Sequence, residues 1–130
     1  LLDYGVPVLF VLFAWWFLTG AVLYIVGLPR KTVRWSMVSA TVVALGAMMA
    51  LWLTAGDTSP AAAYTAFLAA LFVWGWHEVS FLTGTVTGPR TTEAPRHYRG
   101  RAELWPAVET LLYHEAAILL TGAALFAMLW

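Results

Sequence analysis

The sequence predicts an all-α integral membrane protein with four transmembrane helices and both termini on the non-cytoplasmic side. Three observations carry that prediction. Of 130 residues, 62% are hydrophobic and 11% charged, too little polar surface to cover a soluble domain of this size. Four apolar runs, at about residues 6–28, 35–54, 61–84 and 106–130, match the roughly 20 residues a helix needs to cross hydrocarbon. All seven Lys and Arg residues fall in the first and third connections, whereas the second connection and the N-terminus offer only Asp57 and Asp3. The positive-inside rule then makes both basic connections cytoplasmic.

Span one carries no charge from Val6 to Leu28. Pro7 falls in its first turn, where a missing N–H costs little, and Gly27-Leu28-Pro29 closes it. The run is too long, and too poor in preceding basic residues, to be a cleaved signal peptide. Trp15 and Trp16 lie near mid-depth, so each indole N–H needs an acceptor that lipid cannot supply. At least one of the two is expected to face protein or a ligand.

Arg30-Lys31-Thr32-Val33-Arg34 forms a basic hinge before span two, which Trp35 and Trp52 bracket as interfacial anchors. Its Ser36, Ala40, Ala44 and Ala47 share a face, a small-residue stripe that lets membrane helices approach closely. Gly56-Asp57-Thr58-Ser59-Pro60 reads as a tight polar turn ending in a Ser N-cap and a proline at the first helical position. Spans two and three are therefore expected to be antiparallel neighbours. Span three breaks at Gly88-Pro89. The connection at 89–105 holds Arg90, Arg96, Arg99 and Arg101, which suit anionic lipid headgroups or a partner's cytoplasmic face. Span four opens near Pro106.

The whole reads as one membrane domain, 1–130. It starts without a methionine and stops inside an apolar run, as a piece of a longer chain would. Basic and acidic residues cancel, and no nucleic-acid partner is expected. The absence of cysteine excludes disulfides, thiolate metal sites, a thiolate nucleophile and c-type haem attachment.

Chemistry concentrates in Trp74-Gly75-Trp76-His77-Glu78 and His114-Glu115. Counted from the cytoplasmic ends at 1.5 Å per residue, both histidines lie roughly 10 Å inside. Two imidazoles and two carboxylates thus share one depth, and Glu109 joins them only if its helix face matches. Ionisable groups in a span cost on the order of 2.5–3.5 kcal/mol and pair within protein. The economical arrangement is His77–Glu115 and His114–Glu78 across the hairpin.

Four readings fit the cluster. The first is a hydrogen-bonded network that fixes helix register. The second is a tetrapyrrole site, with His77 or His114 as axial ligand and Trp74 and Trp76 as flat walls, although Val73 and Thr110 crowd the preceding turns. The third is a His/carboxylate metal centre. Against it, adjacent His and Glu diverge by about 100° on a helix and miss the spacings of di-iron bundles and zinc proteases. The fourth is a proton path, for which nothing continues the relay across the membrane.

The segments Ala14-Trp15-Trp16-Phe17, Gly27-Leu28-Pro29-Arg30, Arg34-Trp35-Ser36-Met37, Trp74-Gly75-Trp76-His77-Glu78, Ser80-Phe81-Leu82, Gly88-Pro89-Arg90 and Leu112-Tyr113-His114-Glu115 are spread over all four spans. On them the chain resembles the photosynthetic-complex assembly protein family of purple-type phototrophic bacteria known as PuhE. Members of that family are longer, so the chain corresponds to an N-terminal half. The resemblance implies a multi-pass protein of the bacterial cytoplasmic (inner, photosynthetic) membrane. It also implies reaction-centre and light-harvesting polypeptides as partners, with bacteriochlorophyll as the candidate pigment. No catalytic assignment comes with it. The expected function is a non-catalytic accessory subunit or assembly factor of the reaction centre–light-harvesting complex. The alternative is a metal- or haem-dependent oxidoreductase of pigment or lipid metabolism built on His77, Glu78, His114 and Glu115.

Overall fold

The computed structural model describes residues 2–90 and 104–130. Among them are four α-helices, α1 (Leu2–Val26), α2 (Val33–Thr54), α3 (Pro60–Leu82) and α4 (Leu104–Leu129), with a short 3-10 turn at Arg30–Thr32. Each of the four is long and apolar enough to cross a membrane. Among the described residues the protein is all-α, as its four long apolar runs predict. Arg96, Arg99 and Arg101 lie outside the described residues.

Helix α1 starts at Leu2, so Pro7 is inside it and not in its first turn. The proline therefore removes one backbone hydrogen bond in a helix that burial on α3 supports. At the other end the chain closes through Gly27 N–H on the Leu23 carbonyl and Leu28 N–H on Ile25, and Pro29 caps the 3-10 turn. Between α2 and α3, the Ser59 hydroxyl accepts from Ala62 N–H at 3.2 Å, with Pro60 opening the helix as the sequence predicts. Asp57 accepts from Ser59 N–H at 2.8 Å, and that bond holds its carboxyl below the usual carboxylate range.

Helix α3 is the centre of the assembly. It packs most extensively on α2, where Ala47 and Leu51 meet Ala69 and Val73. Small side chains let these two backbones approach, which is how membrane helices associate when lipid removes the hydrophobic drive. Helix α1 lies on another face of α3. Tyr64 meets Phe10 edge-on at 4.5 Å, and Trp74 stacks on Trp15 at 5.0 Å, which covers one face of an indole that is otherwise 51% exposed. Trp16 remains on the outer face. Helix α4 touches the bundle lightly, through Leu125 and Met128 at one end and through polar groups at the other.

Candidate functional site

The polar contacts of α4 begin with the rotation of α3. At 3.6 residues per turn, the face that carries His77 also carries Ser80 and Phe81 towards α4. His77 is 5% exposed and Ser80 fully buried, its hydroxyl donating to the His77 carbonyl at 3.1 Å. His77 Nε2 lies 3.1 Å from the hydroxyl of Thr121 on α4. Two turns back along α4, His114 is 6% exposed and stacks on Phe81 with ring centroids 4.4 Å apart. The two imidazole centroids are 6.4 Å apart.

The chain then folds back onto α4. Gly84 has φ 75°, in the left-handed region that glycine enters without strain. Thr85 N–H reaches the Ser80 carbonyl at 2.8 Å and Gly84 N–H the Phe81 carbonyl at 2.9 Å, the paired bonds of a Schellman cap. That reversal lays residues 87–90 along α4, where the Thr87 carbonyl accepts from His114 N–H at 2.9 Å. Gly88 runs so close to α4 that a Cβ there would collide with the Glu109 carbonyl. Arg90 closes the strap: its Nε and Nη2 both reach Glu109 Oε2 at 2.7 Å.

This arrangement revises several sequence expectations. His77 meets Thr121, not Glu115, and Glu115 is exposed on the outer side of α4. Glu78 is half-buried and makes no ion pair among the described residues. The physical reason is the 100° step per residue: a helix that turns His77 or His114 inward turns the adjacent Glu aside. Glu109 belongs to the strap, and Arg90, expected at a docking surface, is engaged with it inside the chain. Thr121 has a sequence signal of its own, since it follows His114 by seven residues, two helical turns, and so shares its face. Gly88 reads in sequence only as a helix terminator, because its role depends on α4 lying against it.

The Nδ1 atoms of both histidines are buried without a hydrogen-bond partner. They are the groups that could accept a ligand. The walls expected for a tetrapyrrole do not close around them. Trp74 is stacked on α1, and Trp76 donates from Nε1 to Thr41 on α2 at 2.9 Å while presenting an edge to His77. Thr121 meets His77 Nε2, and Phe81 covers one face of the His114 ring. Among the described residues no group of three or more His, Asp or Glu side chains is arranged to hold a metal. The geometry fits a buried node that locks α4 to α3.

Comparison with known proteins gives two findings. The family described as "Protein of unknown function (DUF3623)" matches residues 1–130. An uncharacterized 30.4 kDa protein in the puhA 5′ region of Rhodobacter capsulatus is 35% identical over 112 residues, covering 83% of this chain and 41% of that protein. The chain thus spans less than half the length of this curated relative. No solved structure matches it.

Proposed function

The chain belongs to the DUF3623 family of proteins, and from that premise we propose that it serves as an accessory subunit or assembly factor of a bacterial photosynthetic reaction centre–light-harvesting complex, the role of a PuhE-type protein. The observation that carries this reading is the relative's place in the puhA 5′ region. The relative itself is uncharacterized.

Physical support comes from α4. Its outer face is exposed along most of its length, and Glu115 sits on that face near the middle of the helix. A carboxylate facing lipid at that depth costs on the order of 2.5–3.5 kcal/mol, so such a residue is normally covered by protein. Under the positive-inside rule the 30–34 and 89–105 connections would be cytoplasmic, which would put Arg96, Arg99 and Arg101 on the side of a partner's cytoplasmic face. The buried histidines serve in this reading as a structural lock, not as a catalytic pair.

The test is purification of the tagged full-length protein from photosynthetic membranes in mild detergent. Reaction-centre and light-harvesting polypeptides should co-purify and dissociate at moderate salt when Arg96, Arg99 and Arg101 are replaced with Ala. Purification without those polypeptides overturns the reading. A bacteriochlorophyll band that survived detergent exchange and vanished in His77→Ala or His114→Ala would instead turn the lock into a pigment site.

A further inference from the structure

Helices α1 and α2 both pack on α3 and barely touch each other, although only a short turn joins them. The gap between them is a half-open groove of about 510 Å³, within the range of small-molecule sites, about 300–1,000 Å³. Leu18 and Val22 form one wall, Trp35 and Ala40 the other, and Gly75 the floor. Within a bilayer a groove whose walls are mostly apolar, with few polar partners for water beyond the Thr32, Ser36 and Ser39 hydroxyls, is best filled by an apolar chain.

The sequence around one end of the groove suggests the head of that chain. Thr32 and Trp35, which line it, have Arg30, Lys31 and Arg34 as near neighbours in the chain, all three exposed at the helix ends. Among the described residues none of these cations makes an ion pair. Three positive charges beside one end of an intramembrane apolar groove, unpaired among the described residues, complement a phosphate carried on hydrocarbon, and basic pockets between membrane helices hold anionic headgroups in this way. We infer that the groove holds one acyl chain of an anionic phospholipid, with its phosphate on Arg30, Lys31 and Arg34. This lipid seals the α1–α2 gap and ties the basic turn to one membrane surface.

The inference is independent of any photosynthetic partner. It is tested with full-length protein reconstituted from vesicles of phosphatidylglycerol and phosphatidylcholine with identical chains, followed by native mass spectrometry of the retained lipid. One phosphatidylglycerol per protein should survive detergent exchange in preference to phosphatidylcholine. Ala40→Phe, which fills the groove, should abolish retention with helix content unchanged by circular dichroism. The triple variant Arg30→Gln, Lys31→Gln, Arg34→Gln leaves the helices' packing intact and should lower phosphatidylglycerol retention by about tenfold or more while leaving phosphatidylcholine unchanged. Equal retention of the two lipids by the unaltered protein overturns the inference. So does a triple variant that keeps its preference, or a pigment or polypeptide found in the groove.

Discussion

His77 Nε2 and the Thr121 hydroxyl, 3.1 Å apart, join two helices that otherwise meet over a small area. Polar contacts of this kind are worth about 0.6 kcal/mol on average in membrane bundles and up to about 1.7. Thr121→Val and His77→Leu should each destabilise the α3–α4 pair by about 1 kcal/mol, and the double variant by clearly less than the sum. Unfolding in mixed micelles measures the cycle. Full additivity would mean that the two groups do not interact.

Gly88 should tolerate no side chain. An added Cβ meets the Glu109 carbonyl, a backbone atom that cannot swing aside. Gly88→Ala should cost about 1–3 kcal/mol, the range for overpacking, and should open the 84–90 strap to protease. Gly122 is the control, because a Cβ there meets nothing within 4 Å. Gly122→Ala should be neutral or stabilising by up to about 1 kcal/mol through helix propensity.

The Arg90–Glu109 pair holds the strap at its polar end, with side chains 23% and 26% exposed. Partial solvent screening limits each single variant, Arg90→Gln or Glu109→Gln, to about 1 kcal/mol or less. The exchanged pair, Arg90→Glu with Glu109→Arg, should recover most of the protease resistance that either single change loses. Raising salt should weaken the unaltered protein's strap only modestly.

How much of this was readable beforehand follows from which forces act locally. The helices were legible because bilayer thickness imposes a length of apolar sequence whatever the tertiary contacts. The Ser59-Pro60 start was legible because a cap needs only its own four residues. The two histidines, 6.4 Å apart, are near neighbours because depth can be counted along each helix. Their partners were not legible, since contact depends on helix rotation, and a His-Glu dipeptide cannot turn both side chains into one seam. The strap was hidden for another reason: Gly88-Pro89 carries the same local signal whether the chain leaves the bundle or doubles back on α4. Helix α1 begins earlier than the first charge-free residue suggests, because the apolar pattern marks the membrane interval and not the helix end.

Glu115 offers the sharpest separation of association from folding. It lies on the outer face of α4, away from Thr121 and His114, so Glu115→Leu removes no contact within the described bundle. In isolation the change should leave stability unchanged or raise it, because a carboxylate costs on the order of 2.5–3.5 kcal/mol at that depth. If Glu115 pairs in the membrane with a polar group of the proposed photosynthetic partner, the same change should reduce co-purification several-fold. Glu115→Gln, which keeps hydrogen-bonding capacity, should fall between the two. Destabilisation of the isolated full-length protein by Glu115→Leu would show that the carboxylate is paired within its own chain, and the α4 face would lose its claim as the docking surface.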